Sequence, residues 1–166
     1  MAHFEKAHSH LVALEGGYTN DKNDTGGETY RGVSRNNFPR WQGWPLLDQY
    51  KLLPSFPQNA LEDPVLQNMV KQWYKETFWD VFGLDTLHAD EVAGEVFEQS
   101  VNHGVGRGAW HIQEVCNALN YKQQFGPDLM VDGKPGPATA PTAQQRAARQ
   151  VAAKPLVGKG LLKNDS

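Results

Sequence analysis

Phe4, Ala7, Leu11 and Leu14 recur at helical spacing, and the run stops at Glu15-Gly16-Gly17. That pattern predicts an amphipathic helix over residues 2–15, ended by glycines that tolerate the backbone turn past a helix terminus. A carboxyl group therefore stands where an apolar helix closes and the chain changes direction. Residues 16–33 have no helical period and are rich in Gly, Asn, Asp and Thr, the composition of turns with a short hairpin. A chain that begins this way must place a small irregular or β region directly after its first helix.

Beyond this opening the helical signals dominate. Ser34 is expected to cap a short turn that Pro39 stops, and Pro45 to open a helix running through Leu53. Asp63-Pro64 is a cap followed by proline at the first helical position, with Val65, Met69, Trp73 and Phe78 following on roughly one face. Asp90 is expected to cap a helix carrying Val92, Val96, Phe97 and Val101. Gly104-Val105-Gly106-Arg107-Gly108 breaks the chain before a helix over 109–120. Asp132-Gly133 and Pro135-Gly136-Pro137 mark turns, and residues 142–153, rich in Ala and Gln, read as a helix. The expected class is mainly α with a small irregular or β region after the first helix.

The 166 residues suffice for one compact domain, or a small domain with an appended subdomain. Five tryptophans argue against disorder. The net charge of −3 does not predict a nucleic-acid binder. Charge is uneven: residues 1–100 hold 8 Lys+Arg against 15 Asp+Glu, whereas residues 134–166 hold six basic residues against Asp165 alone. A basic end suits an anionic surface such as a cell wall, and equally a solvated helix face. Cys116 is the single cysteine, so no intrachain disulfide forms, and its stripe with Ile112, Val115 and Leu119 predicts a buried small hydrophobe. The first residues carry no uninterrupted apolar region and no small-residue cleavage site, and no segment approaches the ~18 apolar residues of a membrane span. The expectation is synthesis in the cytoplasm without a signal peptide, no stable membrane insertion, and action in the periplasm or on the cell wall after release or export.

Glu15 lies nine positions before Asp24 and fourteen before Thr29. Hydrolysis of a glycosidic bond needs a proton for the leaving oxygen, which a partly desolvated carboxyl supplies near neutral pH. Glu15, following Leu11 and Leu14, fits that role. In an inverting reaction a second group holds water on the opposite ring face, and Asp24 with Thr29 fits that one. Spacing alone leaves other readings open. A Glu before Gly-Gly is a common helix end, Asp24 is a good Asx-turn residue, and Asp21 and Glu28 are acids that chemistry alone does not separate from it. Tyr30, Trp41 and Trp44 lie in turn-rich sequence, and their ring faces suit the apolar faces of hexoses; packing is the alternative for each. Trp73, Phe78 and Trp79 read as core. The six histidines show no HExxH pattern, and no metal or organic cofactor is called for.

The stretch EGGYTNDKNDTGGETYRGVS resembles the signature of the glycoside hydrolase family 108 muramidases, which cleave peptidoglycan. The pattern is matched at Glu15, Gly16, Gly17, Tyr18, Asp24, Gly26, Gly27, Thr29 and Gly32. The eight-residue gap from Glu15 to Asp24 also matches phage-type lysozymes, while the gap from Asp24 to Thr29 is four residues rather than five. Trp73-Tyr74-Lys75 with Phe78-Trp79-Asp80 resembles a further family element. So does the region from Phe97 through Asn102, His103 and Gly104 to Thr139, which is similar to the family's peptidoglycan-binding region; Glu98 stands there in place of the usual Asp. After Thr139 the likeness weakens, and a Leu replaces the usual Trp of the tail.

The resemblance implies a lysozyme-like fold, with a catalytic region over 1–85 and a helical, peptidoglycan-binding-like region over 86–166 that completes it. It implies a peptidoglycan hydrolase of the N-acetylmuramidase (lysozyme) type cutting the β-1,4 bond between N-acetylmuramic acid and N-acetylglucosamine. Glu15 is then the general acid, Asp24 and Thr29 assist, and Asn102 and His103 line the cleft. Peptidoglycan is the implied partner; a holin, a secretion system or an immunity protein would follow from the chain's being an endolysin, an export muramidase or an effector. Two other readings stay open: a non-catalytic peptidoglycan-binding or secretion accessory protein, and a lytic transglycosylase, which uses one Glu and no water.

Overall fold

The computed structural model describes residues 3–12, 16–21, 26–87, 90–118, 120–123 and 126–136. Glu15, Asp24, the expected helix over 142–153 and the basic end after Lys134 lie outside the described residues. The chain divides into two compact units, His3–Val81 and Phe82–Ser166 with Met1–Ala2. Helices dominate the described residues, and the one sheet among them follows the first helix. No helix among them is long and apolar enough to cross a membrane.

In the first unit, α1 (Phe4–Val12) buries Phe4 and Leu11, the two ends of its apolar stripe. Phe4 sets its ring against the edge of Trp79 at 5.4 Å. Three two-residue antiparallel strands follow: β1 (Tyr18–Thr19), β2 (Thr29–Tyr30) and β3 (Val33–Ser34), in that spatial order. Tyr30 pairs with Val33 across a two-residue turn. Arg31 at φ +43° and Gly32 at φ +82° give both turn positions the left-handed backbone that a twisted hairpin demands. Strands this short are marginal by themselves. Burial of Tyr30 and Val33, both at zero exposure, stabilises the hairpin by roughly 2 kcal/mol per side chain, more than its few net hydrogen bonds contribute.

Ser34 serves strand and turn together: its Oγ donates to the Gly26 carbonyl at 2.6 Å and accepts from the Asn37 amide at 3.3 Å. Helix α2 (Trp44–Tyr50) carries Pro45 in its first turn as expected, but stops three residues short of Leu53. Pro54 disfavours helical backbone at Leu53, and the Lys51 ammonium reaches back to Glu28 at 2.7 Å. A short α3 (Gln58–Glu62), not foreseen from the sequence, leads to α4 (Pro64–Tyr74). Asp63 caps α4 by accepting the Leu66 amide at 2.7 Å. Its carboxyl is held below the ordinary range, first by the Tyr50 hydroxyl, which donates to it at 2.6 Å. The helix widens into a π turn at Lys75–Trp79, and Phe78 and Trp79 are core, as the sequence suggested.

In the second unit, α5 (Asp90–His103) and α6 (Val105–Ala118) pack against each other. The expected break over 104–108 narrows to Gly104 alone, at φ +83°. Gly106 and Gly108 are helical. Gly108 is there for contact: a Cβ on it would lie 2.9 Å from the Ser100 Cα. Cys116 is buried. Gln113, Asn117 and Asn120, at i, i+4 and i+7 along and just past α6, hold segment 126–134 by their carboxamides. Gln113 donates to Asp132 and to the Lys134 carbonyl, and accepts the amides of Asp132 and Gly133, all at 2.9–3.1 Å. Asn117 exchanges a pair of hydrogen bonds with the Leu129 backbone.

Two outcomes follow from this packing. Gly108→Ala is expected to lower unfolding free energy by about 1–3 kcal/mol through overpacking on Ser100, whereas Gly94→Ala in α5, where a Cβ meets nothing within 4 Å, raises it by about 0.5–1 kcal/mol; urea titration of both variants reads the contrast, and equal signs would refute the close crossing. His8 in α1 has its pKa lowered by burial first and by Lys71 second, and among the described residues its buried Nε2 has no hydrogen-bond partner. Its neutral form contributes stability that is complete above the unfolded value of about 6.5 and is lost as pH falls through the folded one, because the unfolded chain binds the proton more readily. Thermal unfolding of His8→Phe should show a smaller drop in Tm from pH 7 to pH 5 than the parent chain, and parallel curves would exclude His8 as the source.

Candidate functional site

Strand pleating divides the hairpin chemically. Successive side chains point to opposite faces, so Tyr18, Tyr30 and Val33 share one face through their cross-strand pairing, and Thr19, Thr29 and Ser34 share the other. On the first face Tyr30 and Val33 are core and Tyr18 is half-buried. The second is a row of hydroxyls, exposed at Thr19, half-buried at Thr29 and buried at Ser34. Thr29 donates from Oγ1 to the Gly27 carbonyl at 3.3 Å. Gly27 is at φ +63°, where a Cβ would lie 2.6 Å from the Asn36 side chain, so a bare backbone is required beside Thr29.

Burial decides against Tyr30 as a sugar platform. Its side chain is wholly buried, its hydroxyl donates to the Ala60 carbonyl at 2.7 Å, and its ring stacks on Trp41 at 6.1 Å. Desolvation by burial raises its pKa, against an opposing pull from the neighbouring Arg31. Trp44 is likewise interior: its indole N–H donates to the Phe38 carbonyl at 2.8 Å, and the Arg35 guanidinium covers its ring at 4.4 Å. Trp41 is different. Only 9% of it is exposed, but it borders a cavity of about 660 Å³ between segment 37–42 and α4. Trp73, expected in the core, is half-buried and borders the same cavity. Nothing in its apolar spacing separated it from Phe78; the amide-rich sequence of segment 36–42 was the available signal.

Glu28 is accounted for by structure. One oxygen meets Arg35 Nε at 2.7 Å; the other accepts from Lys51 at 2.7 Å and from the Tyr18 hydroxyl at 3.1 Å. Arg35 extends the network to Asp48 through a bidentate pair, and that hydrogen bonding lowers the Asp48 pKa. The pairs are half exposed, so their value lies in fixing the hairpin on α2 more than in stability. The Tyr18 hydroxyl pKa is raised, by desolvation first and by Glu28 second. Asp21 is exposed. In the second unit Asn102 and His103 are exposed at the C-terminal end of α5, with the His103 ring 6.1 Å from that of His111.

Among the described residues no cluster of His, Cys, Asp and Glu is placed to hold a metal ion. A smaller cavity of about 280 Å³ lies between α1 and α4, bordered by His8, Arg31 and Lys71. The Arg31 side chain is anchored there by donating to the Leu61 carbonyl at 2.9 Å.

Among curated proteins none matches the chain. The structure of Brucella abortus SagA matches with a TM-score of 0.54 at 21% identity, over 93% of this chain and 81% of that one. The architecture of this chain is mainly α and lysozyme-like, with the small sheet after the first helix. The sequence profile of glycosyl hydrolase 108 matches residues 8–104, more than half of the chain and all of the segment from Glu15 to Thr29. The chain belongs to the glycosyl hydrolase 108 family and is a glycoside hydrolase by that membership.

Proposed function

We propose that the protein is an N-acetylmuramidase that cuts the β-1,4 bond between N-acetylmuramic acid and N-acetylglucosamine in peptidoglycan, with Glu15 as the general acid. The family match across residues 8–104 carries the reading, since family membership supports peptidoglycan as the substrate class. In the proposed reaction the Glu15 carboxyl gives its proton to the glycosidic oxygen as the bond to the anomeric carbon breaks. Asp24, as carboxylate, takes a proton from the attacking water or stabilises the cationic ring. Thr29, on the hydroxyl face of the hairpin, positions that water. Asn102 and His103 are exposed and available to ligand. The catalytic region is assigned to 1–85 and a wall-binding role to 86–166. The chain works in the periplasm or on the wall after release or export, and a holin, secretion system or immunity protein would be its partner there.

Glu15→Gln should reduce clearing of a purified wall suspension by at least about 10²-fold with an unchanged circular dichroism spectrum; full activity would sink the assignment. Mass spectra of the fragments should show reducing ends, and 1,6-anhydro ends would make the protein a lytic transglycosylase. A protein that pellets with the wall without clearing it is a binder. Tyr30→Phe should cost roughly 1 kcal/mol of stability from its lost hydrogen bond while leaving the rate per folded molecule intact. Thr29→Val should do the reverse, slowing the reaction about tenfold for the loss of one hydrogen bond of ~1.4 kcal/mol.

A further inference from the structure

The 660 Å³ cavity on α4 has the size of a small-ligand pocket, and it contains none of the residues assigned to the reaction. Its floor is aromatic. Trp41 is held by the edge of Trp44 at 4.9 Å and folds over Gly43, where a Cβ would lie 2.2 Å from its ring. Trp73 is held edge-on by Phe38 at 4.8 Å and Phe78 at 5.3 Å. Both rings are therefore fixed before any ligand arrives, which limits the ordering cost of binding.

The walls are carboxamides. Asn37, Gln42 and Asn68 are exposed, and among the described residues no hydrogen bond reaches their side-chain amides. Each amide both donates and accepts, as sugar hydroxyls and acetamido groups also do. Charge is balanced, with Arg40 on one side and Glu76 on the other. A polyanion would require a cationic cluster, and an apolar peptide would leave the amides unpaired when buried. A neutral pyranose with one apolar face and a polar rim satisfies both floor and walls.

We infer that the groove between segment 37–42 and α4 binds an N-acetylated hexosamine of the glycan strand, stacked on Trp73 beside the buried Trp41 and hydrogen-bonded by Asn37, Gln42 and Asn68. This rests on the reading of the protein as a peptidoglycan hydrolase and adds a holding site to it. The site acts on substrate affinity and leaves the chemical step to the front segment.

The test uses the full chain carrying Glu15→Gln, titrated with chitotetraose and with cellotetraose, which lacks acetamido groups, while NMR follows the indole N–H signals of Trp41 and Trp73. Chitotetraose should shift both signals at concentrations where cellotetraose does not. Adding Gln42→Ala and Asn68→Ala, both at exposed positions, should weaken that binding about tenfold. In the otherwise native enzyme the same pair should raise KM for soluble glycan strands about tenfold and leave kcat unchanged. Unmoved indole signals, equal response to cellotetraose, response to a free stem peptide instead, or unchanged affinity in the double variant would each overturn the groove. Failure of the two readings is separable. A chain that never clears walls but binds chitotetraose through these amides keeps the groove and loses the hydrolase. An active enzyme indifferent to the double substitution keeps the hydrolase and loses the groove.

Discussion

The front of the molecule depends on the burial of Tyr30. Three strands of two residues each cannot hold themselves together, and the glycine-rich loop around them has little else to bury. Tyr30 supplies the missing anchorage: its ring lies against Trp41, its hydroxyl ends on the Ala60 carbonyl, and its strand partner Val33 is equally enclosed. The Tyr74 hydroxyl, donating to the Arg31 carbonyl at 3.2 Å, then fixes the turn against α4. Every position on the hydroxyl face inherits its orientation from that one inward-facing ring. The same pleat that sends Tyr30 inward sends Thr29 the other way, so the hairpin's stability and its proposed chemistry are two faces of one constraint.

The ion network around Glu28 has a complementary role. Half-exposed pairs add little free energy, but Glu28 is engaged by Tyr18, Arg35 and Lys51 together, which ties β1, the end of the hairpin and the end of α2 to one carboxylate. That engagement removes Glu28 from the acids open to catalysis. Both of its oxygens are already committed to neighbouring side chains.

Local signals in the sequence were legible where a single residue type has a single mechanical meaning. Pro45 in a first turn, Asp63-Pro64 as cap and start, and Asp132-Gly133 as a turn all carry their own backbone logic, and the structure has them. Aromatic residues were not legible in the same way. Tyr30, Trp44 and Trp41 share turn-rich sequence, yet two are interior and one borders a cavity, because the outcome depends on neighbours distant in sequence: Ala60 for Tyr30, Arg35 above Trp44, and Gly43 beneath Trp41. Trp73 was misplaced for the converse reason. Its helical spacing matches the core stripe, but α4 turns that side of the helix toward segment 37–42. Gly106 and Gly108 misled in yet another way, since helix-breaking composition gave way to the close approach that Gly108 permits.

Carboxamides show how the same residue type separates into structural and binding roles. Gln113 is 4% exposed and saturated, its oxygen accepting two backbone amides and its nitrogen donating twice. Asn117 and Asn120 are engaged in the same manner. These groups had to find partners, because a buried amide without one costs about 1–3 kcal/mol. The amides of Asn37, Gln42 and Asn68 stand under no such obligation, since water meets their needs at the rim of an aromatic floor. They give up that water only for a ligand that returns equivalent hydrogen bonds, and an apolar surface alone would leave them unpaired. A groove built this way selects against hydrophobic partners and for polyhydroxylated, acetamido-bearing ones, whose polar groups replace the displaced water one for one.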